Sequence, residues 1–418
     1  MAKRSRVQHW LILGAVGVGL IPIAVFGLFA YMNATKTPLH PRVQDVPSVV
    51  GAAPSAAWIE ATAQAREIAR AGLADQNLPG LSVAVGVGGA LVWSEGFGWA
   101  DLDDKTRVDP ATRFRIGTAS TALTSAAVGL LVEQGTLKLD DEIQTYVPGY
   151  PKKPWPVTLR QVMSHTAGVR NDGGDEGPLF GASCATTTEA LPYFANDELR
   201  FEPGTDYRYS RYGWILVSAA IEKAAGQPFV KFMRNQVFDR LGMNDTRTEA
   251  AGERPSNMAA SYFPRFAADP RYGPDPMRPI DFSCYSGSSA FLSTPSDLVR
   301  FALAINSGTW LKTDTVKMLQ TSQRLPSGAE TGYGLGWDLE AATIAGAPTV
   351  TIGHDGDILG GDVATLITLP TGIVVAITTN TSYADTHALA VKIADVFARV
   401  YRPNSLARNP FSRGHVHR

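Results

Sequence analysis

The chain has 418 residues, of which 44% are hydrophobic and 18% charged, and its formal net charge is −1. This balance is typical of a folded globular protein, and the near-neutral total argues against nucleic-acid binding through a general positive field. Only two cysteines occur, which excludes a disulfide-rich scaffold and a zinc site made of cysteines alone.

The N-terminal region predicts a membrane anchor. Residues 1–9 form a basic, cytoplasmic N-terminus with Lys3, Arg4 and Arg6, and residues 10–32 follow without any charge. Such a run is long enough to cross a hydrocarbon core, which takes about 20 residues. Basic residues before the span favour an N-terminus that stays in the cytoplasm. We expect an uncleaved transmembrane signal-anchor over 10–32, with a cleaved signal peptide as the competing interpretation.

The remaining sequence predicts a linker, one domain and a tail. Residues 33–56 are rich in proline and small residues and predict a linker that spaces the domain from the membrane. The domain is expected over 57–401, and the basic segment 402–418 is expected to be a disordered tail.

Hydrophobic periodicity and turn residues place the elements of the domain. The predicted helices and helix-rich regions cover 57–73, 118–134, 158–260, 296–306 and 384–401. The predicted strands cover 81–87, 90–97, 349–352, 363–369 and 373–379, and a proline-rich aromatic loop covers 264–285. Strands at both ends with helices between them indicate an α/β fold, in which an antiparallel sheet is flanked by helices and a helical region.

Seven blocks occur in an order that resembles the serine β-lactamase-related family. This family includes class C β-lactamases, DD-peptidases (penicillin-binding proteins), esterases and a mitochondrial β-lactamase-like protein. The blocks are FRIGTAST (114–121), LLVEQGTLKLDDEIQTYVP (130–148), TLRQVMSHTAGV (158–169), YRYSRYGWILVSAAIE (207–222), SSAFLSTPSDLVRFA (288–302), GYGLGW (332–337) and GHDGD (353–357). The resemblance implies a β-lactamase/DD-peptidase-like fold over nearly the whole domain, and an acyl-transfer site that needs no cofactor.

The resemblance also implies the positions of the reacting groups. The family uses a serine at the start of the long helix, a lysine one turn later and a tyrosine from a Y-x-N motif. Here the serine position is Thr118 and the lysine position is Thr121, whereas the tyrosine is retained as Tyr209. The asparagine of Y-x-N is replaced by Arg211.

The strand edge that binds substrate in the family is retained in part. His354 and Gly356 match an H-x-G motif, with Asp355 between them and Asp357 after them. We predict that these four residues and Arg211 bind substrate. Arg211 is expected either to fill the lost lysine's volume and pair with Asp355 or Asp357, or to point to solvent. No metal site is expected.

These substitutions argue against efficient catalysis. Thr118 carries a methyl group that crowds a serine position, and Thr121 cannot accept a proton near neutral pH. Tyr209, with an ordinary pKa of about 10, needs a nearby cation to act as a base. Losing a positioned base costs about 10²–10⁴ in rate.

The leading hypothesis is a membrane-anchored, degenerate pseudoenzyme of the cell envelope, which binds a small-molecule or peptide, peptidoglycan-like ligand, or a partner. The alternative is a weak or rewired enzyme (esterase, DD-peptidase or β-lactamase-like) using Thr118 and Tyr209, and a purely structural scaffold is a third. We expect no nucleic-acid partner. A bacterial inner membrane with the domain in the periplasm is the favoured location, and a mitochondrial membrane is the second option.

The two cysteines are expected to meet. In the fold that the resemblance implies, the segments around Cys184 and Cys284 both lie on the active-site side of the helical region. An exported domain is exposed to oxidising conditions, so we predict a Cys184–Cys284 disulfide. The alternative is two separate buried thiols.

Overall fold

The computed structural model describes residues 25–171, 179, 181–249, 256–278, 280–358 and 361–401. The helices of these ranges are α1 (25–34), α2 (Ile59–Asp75), α3 (Ser120–Glu133), α4 (Leu159–Met163), α5 (Arg211–Ala225), α6 (Phe229–Phe232), α7 (Pro295–Asn306), α8 (Thr313–Leu319) and α9 (Thr386–Val400). The strands are β1 (Ser48–Val50), β2 (Gly80–Val87), β3 (Ala90–Asp101), β4 (Thr106–Arg107), β5 (Phe114–Arg115), β6 (Arg247–Thr248), β7 (Tyr262–Pro264), β8 (Pro274–Pro276), β9 (Phe291–Ser293), β10 (Asp338–Ile344), β11 (Ala347–Ile358), β12 (Asp362–Thr368) and β13 (Val374–Thr379).

The main sheet joins the two ends of the domain. Its strand order is β1-β3-β2-β13-β12-β11-β10, and all the neighbouring strands are antiparallel. Strand β2 pairs with β13 in a register that places Leu81 opposite Thr379. The predicted α/β fold with one antiparallel sheet is therefore confirmed.

Side-chain alternation along the central strands supplies two apolar layers. Val83 and Ile377 lie in the core beneath α2 and α9, whereas their neighbours Ala84 and Ala376 lie in the core of the helical region. Successive residues of a strand point to opposite faces, so one sheet serves both cores. Helix α3 is buried in the core of the helical region along nearly its whole length.

Local signals agree with the helix limits. α4 begins with a capping box in which Thr158 and Gln161 bond each other's backbone N–H groups. α5 begins at the N-cap Ser210 and ends at Gly226, whose φ of 61° forms a left-handed C-cap. On α2 the buried Ala61, Ala65 and Ala69 recur every four residues, which gives one apolar face.

The N-terminal part differs from the predicted linker. Residues 33–56 contain β1, which pairs with β3. The side-chain amide of Asn77 donates to the carbonyl of Thr37 and accepts from the backbone N–H of Leu39, and the ring of His40 bonds the carbonyl of Leu78. The segment is therefore held against the domain, because its polar groups find partners there.

The predicted anchor falls largely outside the described residues, as do 1–9 and 402–418. Residues 10–24 lie outside them, and 25–32 belong to α1. Within the described ranges, the structure contains no helix that is both apolar and long enough to traverse a bilayer.

The predicted disulfide is confirmed. Cys184 and Cys284 are bonded, with their Cα atoms 4.8 Å apart. The proline-rich stretch 264–285, predicted as a loop, contains β8 and the last residue of β7, and these two strands form a hairpin. The bond fixes the end of this stretch to the helical region.

Candidate functional site

The start of α3 lies directly against the end of β11. Gly117 takes a φ of +52° and opens a single 3-10 turn, Gly117–Ala119, before the α-helix begins. A side chain at Gly356 would place its Cβ 2.0 Å from the carbonyl oxygen of Ile116 and 2.9 Å from the nitrogen of Thr118. Only glycine allows this approach, so Gly356 brings the strand edge against the nucleophile position.

The hydroxyl at the nucleophile position faces the backbone. Thr118 is partly buried, and its Oγ1 donates to the main-chain carbonyl of Asp355 over 3.0 Å. A peptide carbonyl accepts a hydrogen bond but is far too weak a base to remove the proton. The hydroxyl is therefore positioned without being activated.

The lysine position carries a hydroxyl that is satisfied within its own helix. Thr121 is fully buried, and its Oγ1 donates to the carbonyl of Thr118 over 2.8 Å. The predicted positions 118 and 121 are thus adjacent, as one helical turn requires. A neutral group stands where the family has a cation.

Tyr209 lies at the N-terminal end of α5, and its hydroxyl oxygen is buried without a hydrogen-bond partner among the described residues. Burial raises the pKa of this phenol above its ordinary value, and Asp338 raises it further. The Thr118 hydroxyl and the Arg211 cation oppose this shift only in part. Tyr209 therefore keeps its proton at neutral pH and cannot take one from Thr118.

His165, in the block 158–169, lies beside Tyr209. Its ring centroid is 4.2 Å from that of Tyr209 and 4.6 Å from that of Tyr333. Nδ1 accepts from the backbone N–H of Ser210 over 3.1 Å, which places the proton on Nε2. Burial, and then His354, lower the pKa of His165 well below its usual value, so the ring is neutral.

His354 is also buried and forms a hydrogen bond that the sequence did not reveal. Its Nε2 lies 3.0 Å from the hydroxyl of Tyr333, and its Nδ1 lies 2.6 Å from the carbonyl of Asp355. Nδ1 therefore carries the proton, and Nε2 accepts from Tyr333. Tyr333 belongs to the GYGLGW block, where no polar pattern distinguished it from a core aromatic.

The carboxylate of Asp355 points away from the helix that carries Thr118. It contacts Nδ1 of His387, at the start of α9, over 2.9 Å. Asp357, on the same face, accepts from the backbone N–H of Tyr383. The Arg211–Asp355 pair, one of the alternatives expected for Arg211, is therefore not formed, because alternation along β11 turns the Asp355 side chain to the α9 face of the sheet.

Arg211 contacts neighbouring residues of the domain, so the expectation that it simply points to solvent is not met. Its backbone N–H donates to the side chain of Asn171, and its guanidinium carbon lies 5.8 Å from the ring centroid of Tyr285. Its charge acts on Tyr209, whose pKa it lowers in part. The cation therefore stays near the retained tyrosine, although the lysine is gone.

Among the described residues, one group of side chains has metal-binding donors, and it lies on the α9 side of β11. Donor atoms of Glu340, Asp355 and His387 lie within 4.8 Å of one another. His387 directs one ring nitrogen to each carboxylate, and the Nε2 to Glu340 distance is 3.3 Å. The hydrogen bond to Asp355, more than the other contacts, raises the pKa of His387 to about 9. We interpret the group as an ion-paired triad centred on an imidazolium.

Comparisons with known proteins agree with this geometry. A family model described as Beta-lactamase matches residues 65–398. Penicillin-binding protein 4* of Bacillus subtilis (strain 168) is 27% identical over 273 residues, covering 62% of this chain and 59% of that protein. The human mitochondrial serine beta-lactamase-like protein LACTB is 28% identical over 295 residues, covering 54% and 53%. The chain thus spans between about half and three fifths of the length of these curated relatives.

A solved structure shows the same fold. The octameric penicillin-binding protein homologue from Pyrococcus abyssi superimposes with a TM-score of 0.66 at 23% identity, over 79% of this chain and 76% of that chain. At this level of identity, the likeness concerns the fold alone.

Proposed function

This chain belongs to the beta-lactamase family, and we propose that it is a catalytically degenerate member that binds a ligand or partner through the former active site. The serine-hydrolase fold is retained, as are the close approach of β11 to α3 and the tyrosine. The groups that would remove and relay a proton are replaced.

One observation carries the proposal: the hydroxyl of Thr118 donates to the carbonyl of Asp355 while Thr121 stands at the lysine position. Acyl transfer requires a base that takes the nucleophile's proton. The nearest phenol, Tyr209, has a raised pKa and remains protonated. A binding role does not require this proton transfer.

The ligand class follows from the groups that remain around the cleft. Arg211 supplies a cation near Tyr209, and the main chain of β11 at Gly356 runs beside the turn that carries Thr118. These suit a small molecule or a peptide with carbonyl or carboxylate groups, such as a peptidoglycan-like fragment.

A weak or rewired hydrolase is the second candidate. It is favoured by the closeness of Tyr209 to Thr118, whose hydroxyl lowers the pKa of the phenol in part. In that case Thr118 forms the acyl-enzyme and Tyr209 assists the proton transfer.

We also propose that the chain is tethered to a membrane, with the domain outside the cytoplasm of a bacterium or, as the second option, in a mitochondrion. Support comes from the uncharged run 10–32 behind three basic residues, and from the exposed apolar side chains of α1. A fusion partner that needs export, placed after residue 401, should be active. Activity of a strictly cytoplasmic reporter at that site would contradict the proposal.

The test of the binding role is covalent labelling. The full chain is incubated with penicillin or a fluorophosphonate and its intact mass is measured. We expect no stoichiometric adduct. An adduct mapped to Thr118 would establish the hydrolase instead.

A repaired variant provides the positive control. The triple substitution Thr118→Ser, Thr121→Lys and Arg211→Asn restores the family's reacting groups, and it should gain labelling if the surrounding site is intact. A triple variant that stays unlabelled would mean that the cleft has changed beyond these three positions.

A further inference from the structure

We infer that the tip of the β7–β8 hairpin, residues 265–272, lies in the headgroup layer of a phospholipid bilayer beside α1, and so holds the domain in a fixed orientation on the membrane. The inference rests on the membrane tethering proposed above. It adds a second contact site, separate from the N-terminal segment.

The first support is the unpartnered apolar surface of α1. Four of its apolar side chains and one tyrosine are between 47% and 76% exposed: Val25, Phe26, Leu28, Phe29 and Tyr31. The chain before them, residues 10–24, is uncharged and apolar. Hydrocarbon is the environment that matches such a helix, which places the membrane boundary near its C-terminal end.

The second support is the contact between that end of α1 and the hairpin. The ring of Tyr31 lies edge-on to that of Phe266, with centroids 6.2 Å apart. Arg265 donates to the carbonyl of Thr35 over 3.2 Å, and its guanidinium carbon lies 5.1 Å from the ring centroid of Phe266. The hairpin therefore sits at the level where α1 leaves the membrane.

The third support is the backbone at the tip. Ala267 and Ala268 are exposed, uncharged and both left-handed, with φ of +56° and +51°. A non-glycine residue in this region costs about 1 kcal/mol or more, and such strain concentrates at functional sites. These two consecutive small apolar residues are exposed at the end of the hairpin, and we call them its apolar tip.

The flanking side chains suit the headgroup layer. Phe266 packs against Tyr272, and aromatic residues favour the interface between water and hydrocarbon. Lys36 and Arg271 are exposed nearby and can reach lipid phosphates. Arg271 already pairs with Asp269, so we attribute the contact mainly to the apolar tip.

The sheet register shows what this orientation does for the site. Leu81, Thr379, Val363 and Ile358 share one end of the sheet, by the pairings of β2, β13, β12 and β11. The segment that follows α1 docks beside that end, where the ring of His40 bonds the carbonyl of Leu78. The nucleophile turn contacts Gly356 at the same end, so the fixed orientation keeps the cleft close to the membrane surface.

The experiment measures the depth of the tip with a nitroxide on Ala267→Cys. The two native cysteines are bonded to each other, so the introduced thiol is labelled selectively. The matched control is Ala345→Cys, because Ala345 is an exposed alanine with a φ of +51° at the β10–β11 turn, which lies at the opposite end of the sheet. Both full-length variants are reconstituted in vesicles of phosphatidylethanolamine and phosphatidylglycerol.

We expect co-flotation of both variants with the vesicles, and a several-fold higher ratio of oxygen to nickel-complex accessibility at position 267 than at 345. Co-flotation with equal ratios at the two positions would overturn the inference and leave the tethering intact. Failure to co-float would overturn both. Spin–spin broadening at position 267 that persists on dilution with lipid would place a second copy of the chain there, and would also overturn the inference.

Discussion

At position 118, a single added methyl group and a backbone acceptor replace the activated serine of the family. The hydroxyl donates to Asp355, the neighbouring Thr121 donates to the carbonyl of Thr118, and Tyr209 keeps its proton. Each of these groups is neutral and either satisfied or buried. None of these groups is a strong enough base to accept the proton of the Thr118 hydroxyl. The retained fold around position 118 therefore does not imply catalytic turnover.

Gly356 permits a direct test of how tightly the site is assembled. Gly356→Ala should destabilise the protein by about 1–3 kcal/mol or more, because the added Cβ would meet backbone atoms of the α3 turn rather than a side chain that can move. Urea unfolding measures the loss.

The matched control for this test is Gly149→Ala, whose Cβ would meet only Leu191, at an ordinary 3.7 Å. It should change the stability by no more than about 0.5 kcal/mol. Equal stability of the two variants would mean that β11 and α3 are further apart than described.

His387 makes stability depend on pH. Its pKa is raised from 6.5 to about 9, chiefly by the hydrogen bond to Asp355, so the protonated ring stabilises the folded state. This contribution is fully present below pH 6.5 and is lost as the pH rises through about 9. Because the carboxylates are partly exposed, we expect about 1–2 kcal/mol.

The measurement compares urea unfolding of the wild type and His387→Gln from pH 6 to 10. The stability difference between them should shrink over this range, and Glu340→Gln should show a smaller version of the same trend. A difference that is independent of pH would contradict the imidazolium assignment.

The sequence located the reacting positions but not the directions of their neighbours. Thr118, Thr121 and Tyr209 follow from the motif blocks, and the structure brings Thr118 and Thr121 together within one turn. The side on which Asp355 lies depends on the register of β11, which no local pattern specifies. Tyr333 escaped notice because an aromatic in a glycine-rich block looks like core until its partner His354 is known.

At the scale of elements, strong periodic segments were predictable and weak ones were not. The strands predicted over 81–87 and 90–97 correspond to β2 and β3, and the helix predicted over 118–134 corresponds to α3. Strand β10 was missed, since Asp338–Ile344 is an edge strand with mixed polarity that β11 stabilises by pairing. Whether such a segment forms a strand depends on its pairing partner in the folded protein, more than on its own sequence.

The short strand β5, which leads into the nucleophile turn, is held by a buried ion pair. Arg115 makes two hydrogen bonds to Glu249, at 2.9 and 2.7 Å, and its backbone N–H donates to Asp362. Glu249→Gln should destabilise the protein by about 3–5 kcal/mol, because it leaves a buried cation without its charged partner. Chemical unfolding reports the change.

Glu330→Gln provides the comparison, since it removes an ion pair with Arg324 in which both side chains are more than half exposed. Its effect should stay below about 1 kcal/mol. If both substitutions lower the stability by the same small amount, the Arg115–Glu249 ion pair does not stabilise the nucleophile turn.

At the scale of the whole molecule, the main sheet depends on pairing between β2 and β13, which are far apart in the sequence. The side chains of Asn380 and Thr379 bond the backbone of Gly80, across about 300 residues. The helical region with the second core lies between these strands in the sequence. Such non-local pairing must form before the site can exist, because Gly356 and Thr118 belong to the two halves that the sheet brings together.

The disulfide is the covalent link within that helical region. Cys184 and Cys284 are separated by 100 residues, and loop closure of this length stabilises a folded state by up to about 4.7 kcal/mol in the chain-entropy model. Replacing both cysteines by alanine should therefore lower the free energy of unfolding by about 2–5 kcal/mol, as measured by urea unfolding without reductant.

Reduction of the wild type should reproduce most of this loss, whereas the double variant should be insensitive to reductant, because no other cysteine exists in the chain. Thiol titration of the unreduced, denatured wild type should find no free thiol. Two free thiols per chain would refute the bond, and the segments around Cys184 and Cys284 would then be held by non-covalent contacts such as the hydrogen bond from the Cys184 N–H to Ser283.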